Sequence, residues 1–296
     1  MRSLLLVMLV LGPVALADPD GGAGKVPMDL AALRSPDEAF WKNPSRGADR
    51  LATELVGHYR GVVVDAPRCV ALDRRATFPL GVYQVGPIRE LSQVSLERNG
   101  VLAVMDVTAN RLRVKSGASL DDEERVPAPP KPPGSFPEGD MSTTKSLELR
   151  ELLKLPWTPA RYLVSALING EASNRVAVQL CATAKGCAQK EPVPHQRLDL
   201  TARVAGGKRV LEGTFQVAPS APGKSPAVWL LATRPTGELA NVLEVATSGT
   251  AEGALMRGTF TADVDAVLRG ASGDALTVYA FSGETFAGPI NVQAVR

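Results

Sequence analysis

The residues with the most definite chemistry in this 296-residue chain are its three cysteines. Cys181 and Cys187 follow one predicted strand and are separated by a short loop, whereas Cys69 lies far earlier in the chain. Because disulfides persist in oxidising compartments, the spacing predicts a bond between Cys181 and Cys187, with Cys69 buried and free. The alternative pairs Cys69 with one of these two residues. Three thiols without a neighbouring histidine do not complete the tetrahedral ligand set of zinc, so we predict neither a metal site nor a cofactor.

The two histidines of the chain, His58 and His195, stand alone in positions typical of surface or capping residues. Ser142 and Lys145 match the S-x-x-K string of serine penicillin-binding enzymes, but the sequence lacks the partner strings S-D-N and K-T-G. The sequence also contains no G-x-S-x-G, no phosphate-binding P-loop and no H-E-x-x-H. We therefore predict no catalytic residues.

Two aromatic residues are the candidates for ligand binding. Trp157 lies between two prolines, and Tyr162 follows it closely. An aromatic ring on a loop can stack on a sugar or anchor a protein partner. The alternative is that Trp157 closes the end of a β-sandwich, because buried aromatic rings contribute strongly to small cores. Trp41 and Trp229 are predicted to be core residues.

A short helical turn and a hairpin are expected to position these candidates. Leucines at i, i+3 and i+4 in segment 148–154 predict one amphipathic turn, which prolines then end. The apolar strand 162–168 leads into Asn169-Gly170, the dipeptide best suited to a type I′ hairpin turn. The same order of helical turn, strand, turn and strand returns at 263–295. We therefore predict a tandem repeat of two related β modules.

Short apolar or alternating segments bounded by turn residues fill most of the remaining chain. The best predicted hairpin turns at Asn99-Gly100, with its first strand at 94–98. Strands at this spacing predict a mainly β fold of two tandem antiparallel β-sandwich modules, at 61–190 and 196–296. The pattern resembles that of immunoglobulin-like or fibronectin-like modules, although the core tryptophan and tyrosine-corner signature of the immunoglobulin fold is not found.

The N-terminus carries the pattern of an export signal. Residues 1–17 combine one arginine, an apolar run and small residues up to Ala17, which predicts a secretory signal peptide cleaved after Ala17. The run is shorter than the ~20 apolar residues of a membrane span. We predict a disordered leader at 18–27 and a short helical segment at 28–60. A proline-rich stretch at 121–140 is either a loop of the first module or a linker between modules.

The charge of the chain limits its partners. The formal net charge is +2, and removal of the signal peptide with Arg2 lowers it to +1. A nearly neutral chain has no electrostatic basis for binding nucleic acid or anionic lipid. We therefore predict a periplasmic or secreted protein without a membrane span, whose partner is an envelope protein or a cell-surface polymer.

Three functional hypotheses follow from these observations. The first is a non-enzymatic envelope scaffold or protein-interaction module. The second is a carbohydrate- or cell-wall-binding module centred on Trp157. The third is a hydrolase whose catalytic residues are dispersed along the sequence, because β-sandwiches also host enzymes.

Overall fold

The structure, a computed structural model, describes residues 55–56, 59–120, 138–188, 195–206, 208–219, 225–269 and 275–293. The predicted signal peptide, the leader and nearly all of the helical segment lie outside these residues, as does most of the proline-rich stretch. Within the described residues, no helix is long and apolar enough to span a membrane.

The described residues form four β-sheets, so the mainly β fold is confirmed. Sheet I consists of β1 (Gly61–Asp65), β3 (Pro79–Pro87) and β6 (Asp140–Glu148), hydrogen-bonded in that order. Sheet II consists, in order, of β2 (Cys69–Ala71), β9 (Val176–Cys181), β7 (Ala160–Ile168), β4 (Gly100–Asp106) and β5 (Arg111–Ser116), with β8 (Glu171–Ala172) beside β7.

The other two sheets belong to the C-terminal half. Sheet III consists, in order, of β14 (Leu239–Val245), β13 (Val228–Thr233), β17 (Ala275–Ser282) and β18 (Thr285–Gln293). In sheet IV, β10 (Arg197–Leu198) and β11 (Thr201–Ala205) pair with β12 (Lys208–Val217), which pairs with β16 (Leu255–Asp263) and through it with β15 (Thr247–Glu252). Among the described strands every pair is antiparallel except β2 with β9.

Short helices connect the strands. They are α1 (Ile88–Leu91), α2 (Leu96–Asn99), α3 (Leu149–Leu153), α4 (Ala184–Ala188) and α5 (Val264–Val267), with a 3-10 turn at Gly117–Ser119. The predicted helical turn is α3. The Glu148 side chain caps its start by accepting hydrogen bonds from two backbone N–H groups, and Lys154 ends it in the left-handed conformation. The predicted turn at Asn169-Gly170 is also confirmed, since both residues have positive φ and join β7 to β8.

The predicted hairpin around Asn99-Gly100 is wrong. The residues before Gly100 form α2, because Ser95 is its N-cap and accepts a hydrogen bond from the Arg98 backbone N–H at 3.3 Å. β4 begins at Gly100 and forms its hairpin with β5, the next strand in the chain. Its other edge pairs with β7.

Apolar side chains pack between neighbouring sheets in three layers of the described structure. Layer I/II, between sheets I and II, contains Val64 and Leu80 of sheet I with Val104 and Val164 of sheet II. Layer II/III contains Ala103 and Leu163 of sheet II with Leu231 and Phe281 of sheet III. Layer III/IV contains Leu230 and Val278 of sheet III with Phe215 and Phe260 of sheet IV. Successive residues of one strand point to opposite faces, as Ala103 and Val104 of β4 do. The sheets are therefore stacked in the order I, II, III and IV, and sheets II and III bury both faces.

The two halves use their strands in the same order. In the N-terminal half, β1, β3 and β6 form sheet I, while β9, β7, β4 and β5 adjoin in sheet II. In the C-terminal half, β11, β12 and β16 adjoin in sheet IV, while β18, β17, β13 and β14 form sheet III. The helical turn lies at the same step in both halves, since α3 follows β6 and α5 follows β16. The helical turn and hairpin of the predicted repeat fall within this correspondence in strand order.

Candidate functional site: the three-cysteine cluster

A parallel strand pair brings the cysteines together. β2 lies beside β9 with Cys69 opposite Gln179 and Ala71 opposite Cys181. The structure joins Cys69 to Cys187 in a disulfide, across a sequence separation of 118 residues. The predicted bond between Cys181 and Cys187 is therefore corrected, and the alternative that pairs Cys69 with one of them is the arrangement present. Local spacing misled the prediction, because β2 reaches this edge of sheet II only through a long-range pairing.

Cys181 is the free cysteine and is buried beneath α4. Its Sγ lies 3.5 Å from the Sγ of Cys69. Gly186 of α4 packs directly over it, since a Cβ added at Gly186 would lie 3.2 Å from the Cβ of Cys181. This burial raises the pKa of the Cys181 thiol.

The three sulfur atoms all lie within 4.8 Å of one another. With the disulfide formed, two of them have no thiolate to offer a metal ion, because a metal ligand must be the deprotonated thiol. A free thiol in contact with a disulfide is instead the arrangement required for thiol–disulfide exchange. The cluster at the edge of sheet II therefore has the composition for thiol–disulfide exchange rather than that of a metal ligand set.

Tyr162 is corrected from a ligand-binding candidate to a core residue. Its side chain is fully buried in layer I/II, and its ring lies 5.9 Å from that of Phe78 between centroids. Burial, and then the charge of Asp106, raise the pKa of Tyr162 to about 12, while Arg113 opposes them. A molecule bound at the surface cannot reach this ring.

Trp157 lies closer to the surface than Tyr162. It is half-buried and packs against layer I/II after α3. The Arg150 guanidinium lies 4.7 Å from the centre of its ring and donates a hydrogen bond at 3.0 Å to the Ala76 carbonyl. One ring face of Trp157 is thus already covered by a side chain of the same protein.

The S-x-x-K residues do not lie at the start of a helix, as the penicillin-binding enzymes require. Ser142 and Lys145 lie within β6, and the Lys145 Nζ is 2.9 Å from a carboxylate oxygen of Glu97. Lys145 therefore belongs to a surface ion pair. His195 is exposed, and His58 lies outside the described residues.

Polar contacts between the halves surround layer II/III and were not predicted. Arg161 of β7 forms an ion pair with Glu284, in the turn between β17 and β18. Burial raises the pKa of Glu284 above its usual value, although Arg161 acts in the opposite direction. The other contacts are Arg175 Nη1 to Thr285 Oγ1 at 2.7 Å, Trp229 Nε1 to the Asn110 carbonyl at 3.2 Å, Asn99 Nδ2 to the Thr236 carbonyl at 2.8 Å, and the Tyr279 hydroxyl to the Gly170 carbonyl. Of the residues in these contacts, Asn99, Gly170 and Glu284 were recognisable in the sequence only as turn residues.

Comparison with models of known protein families and with curated proteins gives no match for this chain.

Proposed function

We propose that the protein is exported and acts without catalysis, as an envelope scaffold or protein-interaction module built from two tandem immunoglobulin-like β-sandwiches. The strand order supports the two-module interpretation. In each half the first, second and fifth strands of the shared plan form one sheet and the remaining strands the other. This division resembles the separation of strands A, B and E from strands C, F and G in immunoglobulin sandwiches. The modules so defined occupy 61–190 and 196–296.

The observation that carries the scaffold hypothesis is the continuous stack of four sheets. Layer II/III buries apolar residues from both halves, and the ion pair and hydrogen bonds around it fix their relative position. Two of the ionisable groups with raised pKa values near this layer, Glu284 and Tyr279, are engaged in these contacts. Their perturbation therefore has a structural cause, which favours a rigid support over an active site.

Export is supported by two features. The pattern at residues 1–17 is that of a signal peptide cleaved after Ala17. The Cys69–Cys187 disulfide is compatible with an oxidising compartment. We propose a periplasmic or secreted location.

A partner must use the surfaces that the stack leaves open. Val204 of β11 exposes 68% of its surface and is the exposed large apolar residue among the described residues. We place a photo-cross-linking amino acid at Val204 in the exported chain, in its host. A matched control carries it at Glu252, an exposed residue of β15 in the same sheet.

One envelope protein linked from position 204 and not from 252 is the expected result. Glycan captured without protein would instead support the carbohydrate- or cell-wall-binding alternative, provided that Trp157→Ala abolishes polymer binding and leaves folding intact. No adduct at either position would contradict the scaffold proposal, and a hydrolytic activity in substrate screens would support the third hypothesis.

A further inference from the structure

We propose that the three cysteines form a thiol–disulfide exchange site, which binds a disulfide-bearing molecule covalently through Cys187. The Sγ atoms of Cys181 and Cys69 are 3.5 Å apart, in van der Waals contact. Cys187 completes the group within 4.8 Å. A buried thiol that touches a disulfide can take the place of one of its sulfurs.

The backbone holds Cys69 and Cys181 together without help from the disulfide. The Leu72 N–H donates to the Cys181 carbonyl at 2.9 Å, and the Gln179 N–H donates to the Arg68 carbonyl at 3.0 Å. These bonds belong to the β2–β9 pairing, which does not involve Cys187. Cys69 and Cys181 are diagonal neighbours in this pairing, with Cα atoms roughly 7–8 Å apart. A bond between them therefore needs rotation of the side chains and a small approach of β2 toward β9.

The exchange is redox-neutral and its atoms balance. Cys181 loses its proton to solvent, and its thiolate attacks the Sγ of Cys69. The bond from Cys69 to Cys187 breaks, and Cys187 leaves as a thiolate. That thiolate then attacks an external disulfide, forms a mixed disulfide and releases one external thiolate, which takes up the proton.

In the resting protein the Cys181 thiol is buried beneath α4, and its raised pKa keeps the thiolate scarce. Exchange also moves the free thiol from the buried Cys181 to the half-buried Cys187 on α4. The ligand class is consequently a disulfide small enough, or flexible enough, to reach a short surface helix.

The test uses glutathione disulfide as the probe. The exported chain is incubated with it, quenched in acid, alkylated and mapped by mass spectrometry without reduction. We expect glutathione on Cys187 together with a Cys69–Cys181 bond, with at least about tenfold less glutathione on Cys181. Glutathione on Cys181 with the Cys69–Cys187 bond intact would overturn the proposal, as would the absence of any adduct. Cys181→Ala sets the background, because it retains the disulfide and has no thiol.

A second variant tests the proximity directly. Cys187→Ser leaves Cys69 and Cys181, which we expect to oxidise to a disulfide with glutathione disulfide present, so that no thiol reacts after denaturation. Two thiols per chain that persist in this variant, with native circular dichroism, would contradict the exchange.

Discussion

At the residue scale, the disulfide links two segments that are distant in sequence and adjacent in sheet II. The bond constrains the unfolded chain over 118 residues, and long closed loops gain the most in the chain-entropy description. We expect Cys69→Ser to lower the free energy of unfolding by about 2–5 kcal/mol. Urea unfolding without reductant measures this loss.

Cys181→Ala is the matched control, since it removes a buried sulfur without opening the disulfide. We expect it to cost about 1 kcal/mol. Equal losses in the two variants would contradict the pairing of Cys69 with Cys187.

At the element scale, β12 and β16 are fitted together by reciprocal pairs of glycine and phenylalanine. Gly213 lies opposite Phe260, and Phe215 lies opposite Gly258. A Cβ added at Gly258 would lie 2.6 Å from the Phe215 ring and closer still to the Ser248 carbonyl. We expect Gly258→Ala to lower the free energy of unfolding by about 1–3 kcal/mol, because the ring and the strand must shift.

Gly86→Ala is the control for this variant. Its added Cβ would meet only Leu91, at 3.9 Å, an ordinary contact. We expect a change within about 0.5 kcal/mol. If both substitutions change the urea midpoint by similar amounts, Gly258 is not needed to make room for the ring of Phe215.

The elements that could be predicted from sequence are those with local signals. The turn at Asn169-Gly170 and the helical turn α3 depend on neighbouring residues, and both were predicted. The cap at Ser95 was also local, but the Asn99-Gly100 dipeptide drew the prediction to a hairpin. The pairing of Cys69 with Cys187 depends on the β2–β9 contact, which no neighbouring residue encodes.

At the scale of the whole molecule, the sequence carries a signal for burial on both sides of layer II/III. The runs VLAVM in β4 and VWLLA in β13 are apolar without alternation, whereas a strand with one wet face alternates. Such runs indicate burial on both faces, and sheets II and III have it. The sequence could not predict that sheet II packs on sheet III, because any two sheets with apolar outer faces would fit the same apolar runs. The sequence identified the three cysteines as the reactive residues, but not which two of them form the disulfide. Tyr162, predicted to bind a ligand, lies in the core instead.

The ion pair between the halves gives this layer a pH dependence. The folded state raises the pKa of Glu284 above its ordinary value near 4.5, so the folded protein holds this proton more tightly than the unfolded chain. The contribution of Glu284 to stability therefore decreases as pH rises above about 4.5.

Arg161→Met removes the positive charge that opposes this shift, so the loss of stability with rising pH becomes larger. We expect a loss of about 1–2 kcal/mol at pH 7, reduced for the partial exposure of Arg161, and much less at pH 4.

Arg197→Met is the control, because Arg197 and Asp199 form a pair that is largely exposed, with side-chain exposures of 71% and 42%. We expect it to change stability by about 0.5 kcal/mol or less at both pH values. A loss for Arg161→Met that is the same at pH 4 and pH 7 would show that Glu284 does not titrate as described.

The four sheets form one body, joined through layer II/III. Differential scanning calorimetry of the exported chain tests this claim. We predict a single transition whose calorimetric and van't Hoff enthalpies agree, and Leu231→Ala, in layer II/III, should lower its midpoint without splitting it. Two separate transitions in the unsubstituted protein would show that the halves unfold independently, and would contradict the claim.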